Sequence, residues 1–145
     1  RSYEYFVYQT KNPFLKETAW HFPFSINLDA LKEAANVIKS YSNFTTFSKK
    51  HTQVNNFNCH ILHSQCVQEK DCLISKVKAN RFLRGMVKGL VGTMLQVGRE
   101  NLSLDRFKEI IEAKNCNLAN FTPPSHGLFL VEVNYPSGVL NNPIH

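Results

Sequence analysis

Residues 80–99, NRFLRGMVKGLVGTMLQVGR, decide how the rest of the chain is read. At about 100° per residue, Phe82, Leu83, Met86, Val87, Leu90, Val91 and Met94 fall on one broad arc, the pattern of a helix with a buried floor. Arg81, Arg84 and Lys88 form a narrow basic stripe beside that arc, and Gly85, Gly89 and Gly92 lie just past the stripe. Asn80 reads as the N-cap and Gly98 stands near the C-terminal stop. Two readings stay open from this pattern. One is a core helix whose glycines admit a neighbouring element; the other is a wall whose bare face lets an anionic or bulky partner come close.

Directly before this helix, residues 57–67 and 72–79 read as two strands joined by the polar turn Gln68-Glu69-Lys70-Asp71. The second alternates Leu73, Ser75, Val77 and Ala79 with Ile74, Lys76 and Lys78, so one of its faces is partly basic. Residues 3–9 suit another strand, with Tyr3, Tyr5 and Val7 on one face and Glu4, Phe6 and Tyr8 on the other. An irregular segment follows, broken by Asn12-Pro13 and Phe22-Pro23 and packed onto the domain through Phe14, Trp20 and Phe22. Asn27 caps a helix to Lys39 whose buried stripe is Leu28, Leu31, Ala35 and Ile38. Residues 48–56 have no periodicity and read as an exposed loop carrying Lys49, Lys50 and His51.

Beyond the organising helix, Ser103 caps a further helix with Leu104, Phe107, Ile110 and Ile111 inward. A loop with Pro123-Pro124 leads to a last strand over 127–135, and the final nine residues read as a loose tail, 137–145. The order is strand, helix, strand, strand, helix, helix, strand. Apart from one extra helix, this is the split βαββαβ arrangement of ferredoxin-like and RNA-recognition folds. The predicted architecture is therefore an α+β domain over 1–136, a mostly antiparallel sheet with helices packed on one face.

A chain of 145 residues is long enough for one sizeable core. Seventeen Lys plus Arg against eleven Asp plus Glu leave a formal charge of +6, which favours anionic partners, nucleic acid first among them. No apolar run approaches the ~18 residues of a membrane span, so no membrane partner is predicted. There is no signal-peptide pattern, and the chain opens at Arg1 directly in strand-like sequence, so we expect a piece of a longer protein. The four cysteines show no CxxC pair, which argues against a zinc ribbon or a disulfide framework. Cys59, His60, His63 and Cys66 cluster, but alternation splits them between two faces of a strand, and no metal site is predicted. Reduced thiols in a cytoplasmic protein are the expectation.

None of the GxSxG, Walker, HExxH or GxGxxG signatures occurs in its required context. Asp29, Asp71 and Asp105 sit at a helix start, a turn and another helix start, each an ordinary structural place. His21, His51 and His126 are isolated in loops. Residue chemistry alone describes a basic α+β binding domain.

A series of segments adds to this. Arg1-Ser2-Tyr3-Glu4-Tyr5, Asn43-Phe44-Thr45-Thr46-Phe47, residues 80–88 (NRFLRGMVK), Val91-Gly92-Thr93-Met94 and Val97-Gly98-Arg99 occur in that order. Ala119, Pro123-Pro124 and residues 126–133 (HGLFLVEV) follow them. Together they resemble the C-terminal half of the tRNA pseudouridine synthase A (TruA) family, from Arg1 to about Pro136. The resemblance implies half of a pseudouridine synthase fold and, for the full-length protein, an isomerase that converts uridine to pseudouridine in the tRNA anticodon arm without a cofactor. It implies a homodimer with RNA shared across two subunits. The family's nucleophilic aspartate lies in an Arg-Thr-Asp context in the N-terminal half, which this chain lacks, so the chain alone is expected to be inactive.

Carried over residue by residue, the resemblance implies that Tyr3 stacks on the target uracil and that Leu128 contacts the base's opposite face. It implies that Lys88, where the family usually has Arg, pairs with the aspartate of the missing half. Lys49, Lys50 and His51 match the place of a tRNA-touching loop. Arg81 and Arg84, with Lys76 and Lys78, are further candidates for phosphate contacts. The alternative is a non-catalytic RNA-binding α+β module that stacks bases on sheet aromatics such as Tyr5 and Tyr8, although no run resembles the RNP1 signature.

Overall fold

Both edges of β1 (Ser2–Tyr8) are used, which makes it the axis of the sheet. The structure, a computed structural model, describes residues 1–50 and 55–132. Along one edge, β1 runs antiparallel to β4 (Cys72–Ala79), from Ser2 opposite Lys78 to Tyr8 opposite Cys72. Its other edge is shared. The first half pairs antiparallel with β5 (Leu128–Glu132), and Val7 and Tyr8 pair in parallel with β2 (Trp20–His21). β3 (Ile61–Glu69) completes the sheet on the far side of β4. With β2 set aside, the strand order β5-β1-β4-β3 is the split βαβ order the sequence predicts.

Alternation decides the faces. Tyr5 and Val7 of β1, Leu73, Val77 and Ala79 of β4, and Ile61 and Cys66 of β3 are buried on one side. Three helices join that cluster: α1 (Leu28–Val37) through Leu31, Ala34 and Ala35, α2 (Met86–Gly98) through Met86, Leu90, Val91 and Met94, and α3 (Leu104–Ala113) through Phe107 and Ile111. The opposite face carries two ion pairs, Lys78–Glu132 at 2.9 Å and Lys76–Glu69 at 3.7 Å. No helix among the described residues is long and apolar enough to cross a membrane.

The caps at Asn27 and Ser103 form as expected. Asn27 Oδ1 accepts from the Ala30 N–H at 3.1 Å and Ser103 Oγ from the Arg106 N–H at 3.0 Å. The first residue of each helix, Leu28 and Leu104, is only half-buried. Three expectations need correction. The organising helix begins at Met86, not after Asn80. Gly85 is left-handed at φ 76°, and Asn80 instead ties the start of β3 to the end of β4, its Oδ1 accepting from the His60 N–H at 2.7 Å. β3 starts at Ile61 because residues 57–59 are drawn to 42–44, the Phe44 N–H donating to the Phe57 carbonyl and the Cys59 N–H to that of Ser42. The hairpin turn shortens to Lys70-Asp71, with Lys70 at φ 53°. His51, residues 133–135 of the predicted last strand and the predicted tail lie outside the described residues.

Candidate active-site wall

The glycine face of α2 is not bare. A Cβ at Gly85 would stand 2.8 Å from Lys49 Cγ, at Gly89 2.6 Å from the Phe121 ring, and at Gly92 2.1 Å from the Asn120 carbonyl oxygen. The glycines therefore admit Lys49 and the loop after α3, and the reading of a bare face left for a partner is corrected. Thr93 fastens the same contact. Its hydroxyl donates to the Gly89 carbonyl at 2.8 Å and accepts from the Asn120 N–H at 3.0 Å.

The docked loop runs into a short turn, Ser125–Gly127, which is held against β1. The Tyr5 hydroxyl donates to the Pro124 carbonyl, and Gly127 packs so close to the Tyr5 ring that a Cβ there would lie 2.9 Å from Cζ. His126 Nε2 lies 3.1 Å from the Ala19 carbonyl oxygen. Leu128 emerges from this turn opposite Tyr5, half-buried.

Lys88 reaches the same turn from α2, its Nζ 3.4 Å from Ser125 Oγ. Burial, and secondarily the nearby charge of Lys49, push its ammonium below the usual lysine range. Among the described residues, the ion pairs are Lys76–Glu69, Lys78–Glu132 and Arg106–Glu109, so Lys88 faces no carboxylate. Tyr3 sits two residues before Tyr5 on the same side of β1, half-buried, with its ring edge-on to Phe82 at 4.9 Å. Phe82 belongs to the segment leading into α2, so Tyr3 meets that segment, while Lys88 touches the 125–127 turn and Leu128 directly follows it.

The predicted basic residues divide. Lys49 is half-buried, its backbone N–H donating to the Arg84 carbonyl at 3.0 Å and its Nζ 6.0 Å from the centre of the Phe121 ring. Lys50 and Arg84 are exposed. Arg81 turns onto the neighbouring loop, Nη1 donating to Asn56 Oδ1 at 2.9 Å and to the Asn56 and Asn58 carbonyls. Arg81 and Arg84 precede α2, so the single helical stripe with Lys88 does not exist. Tyr5 and Tyr8 are buried, 0% and 6% exposed, which removes them as stacking platforms for an RNA-recognition surface. Of the clustered thiols, Cys59 Sγ lies 3.8 Å from Met86 Sδ, and burial pushes the Cys66 thiol up to about 11. Among the described residues, no three His, Cys, Asp or Glu side chains are grouped to hold a metal. Ser125, Phe121 and Asn120 complete the wall, and no spacing or composition signal marked them; only the tertiary docking of the loop reveals them.

The described residues form an α+β domain in which the half-buried Lys88 meets Ser125 and no carboxylate. Residues 41–136 match the family model described as tRNA pseudouridine synthase, and the chain belongs to that family. It is 45% identical over 136 residues to tRNA pseudouridine synthase A of Parabacteroides distasonis, covering 94% of this chain and 54% of the relative. It is 39% identical to the same enzyme of Bacteroides fragilis, covering 96% and 56%, and 36% identical to that of Anoxybacillus flavithermus, covering 93% and 55%. The chain spans about half the length of the curated relatives it matches.

Proposed function

We propose that this chain is the C-terminal domain, residues 1–136, of a cytoplasmic, homodimeric tRNA pseudouridine synthase that isomerises uridine in the anticodon arm. The reaction exchanges the N1–C1′ bond for a C5–C1′ bond, while C5 loses a proton and N1 gains one. Atoms and electrons balance within the substrate, so no cofactor is needed. An aspartate from the other half attacks C1′ as the N1–C1′ bond breaks, the detached base rotates, and the aspartate is released as C5 bonds to C1′; Lys88 keeps that carboxylate ionised and oriented. A compact ammonium does this as a point charge, without the bidentate fork of arginine. Tyr3 supplies a π surface to a base that has lost its stacking neighbours, and Leu128 closes the opposite face. Lys49, Lys50, His51, Arg81 and Arg84 contact tRNA, chiefly its phosphates.

The observation that carries this reading is Lys88, partly desolvated, beside Ser125 and without a carboxylate among the described residues. A half-buried ammonium with no carboxylate beside it in the described residues is free to pair with one supplied by the other half. The test is pseudouridine mapping after unmodified tRNA is incubated with the full-length protein and, separately, with residues 1–145. Full-length protein forms pseudouridine in the anticodon arm and the chain alone forms none. A full-length protein that binds tRNA without converting uridine would favour the binding-module reading.

A further inference from the structure

A cleft of about 330 Å³ opens where the segment after Phe47 meets the C-terminal end of α3. Lys49, Lys50, Lys114, Thr45, Asn115 and Asn117 are among its lining residues, and no Asp or Glu is among the described ones. None of the three lysines takes part in the ion pairs found among the described residues.

The position of Lys114 is built rather than incidental. It ends α3 in a left-handed conformation, φ 54°, where glycine or asparagine is the usual choice. The fully buried Thr46 holds it there. The Thr46 hydroxyl donates to the Ile110 carbonyl at 2.7 Å and accepts from the Asn115 N–H at 3.2 Å. Asn115 Oδ1 then accepts from the Asn117 N–H at 3.0 Å and folds the next turn. The helix dipole favours a cation at this end, which accounts for Lys114 alone. It does not account for Lys49 and Lys50 arriving at the same cavity from another element. Lys50 and Lys114 bring two like charges to one concave wall from two elements, while the Lys49 side chain runs on past Gly85 toward the Phe121 ring, and like charges so placed favour an anion that enters.

We propose that this cleft binds a backbone phosphate of the RNA substrate, with Lys114 as its outer contact. The inference rests on the tRNA-modification reading and extends the RNA path from Lys49 to the end of α3, a contact placed by tertiary structure alone. Lys49 lines the cleft, and its backbone N–H donates to the Arg84 carbonyl in the segment leading into α2, which ties the cleft to that segment.

The test uses the full-length enzyme with unmodified tRNA. Lys114→Asn keeps a residue that tolerates the left-handed backbone. It is expected to weaken binding several-fold at physiological salt and to lower the slope of log K against log salt by about one. Lys39→Asn, at an exposed position away from the cleft, should change neither. Cys116, which lines the cleft, gives a readout that needs no variant. Saturating tRNA should slow its alkylation relative to Cys72, which lies in β4, and inorganic phosphate at matched ionic strength should not. Wild-type affinity and slope in Lys114→Asn, unchanged Cys116 labelling, or equal protection by inorganic phosphate would overturn the RNA-phosphate assignment. If the enzyme still forms pseudouridine, only the cleft assignment is lost; failure of the wild-type enzyme to do so sinks the underlying reading.

Discussion

Lys88 Nζ stands 3.4 Å from Ser125 Oγ, and at that point α2 meets the turn that delivers Leu128 to the sheet. An ammonium has three protons to donate, and the contact to Ser125 takes one of them. The loop pressed into the α2 glycines, the Thr93 hydroxyl that bonds both Gly89 and Asn120, and the Tyr5 hydroxyl on the Pro124 carbonyl fix the approach to this turn.

Gly92→Ala should destabilise the fold by about 1–3 kcal/mol, because its Cβ would meet the Asn120 carbonyl oxygen at 2.1 Å and backbone must shift. The shift displaces the loop leading to Ser125, so turnover falls with stability. Urea denaturation and initial rates on the same preparation check both effects. Gly98→Ala, where the nearest contact is a flexible Ile26 side chain at 3.1 Å, should cost less.

Tyr5→Phe removes the hydroxyl that donates to the Pro124 carbonyl and leaves that acceptor without its partner, at about 1–3 kcal/mol. Burial holds the Tyr5 hydroxyl above its usual range. A raised folded-state value means the contribution is present below the unfolded pKa of about 10 and is lost as pH rises beyond it. The alkaline loss of stability should therefore be shallower in Tyr5→Phe than in the parent, as measured by denaturation across pH 8–11.

Much of this framework was legible in the sequence, and its limits have physical causes. Asn27 and Ser103 announce their helices because capping is a local interaction, and the alternation in 72–79 fixes β4 because one face is buried. α2 starts later than the periodicity predicts because Phe82 and Leu83 pack into the same core as the helix they precede, so their spacing mimics another helical turn. The two-residue β2 is too short to carry a period. Among the candidate site residues, Tyr3, Lys88 and Leu128 came from family resemblance, while the filling of the glycine face and the roles of Ser125 and Phe121 depend on docking that no local pattern encodes.

Lys49→Ala should raise the Lys88 pKa toward the ordinary lysine value. Burial depresses it first, but Lys49 adds a like charge, and removing that charge favours the protonated form. A carbon-13 titration of the labelled Lys88 side chain reads the shift, which should be upward. No change would mean that burial alone sets the value.

Tyr3→Ala should lower turnover more than tRNA affinity, by roughly ten- to a hundred-fold if base stacking of about 1–3 kcal/mol is lost during chemistry. Tyr3→Phe keeps the ring and its edge-on contact with Phe82, so most activity should remain. Single-turnover rates and filter-binding affinities separate the two effects. A larger loss in affinity than in rate would assign Tyr3 to docking.

The most direct measurement is single-turnover pseudouridine formation by full-length Lys88→Ala and Lys88→Arg, alongside their tRNA affinities. A cation that serves the aspartate of the other half predicts a loss on the order of 100- to 1,000-fold for Lys88→Ala, recovery in Lys88→Arg, and near-parental binding in both. Normal turnover in Lys88→Ala would contradict the account and remove Lys88 from the site.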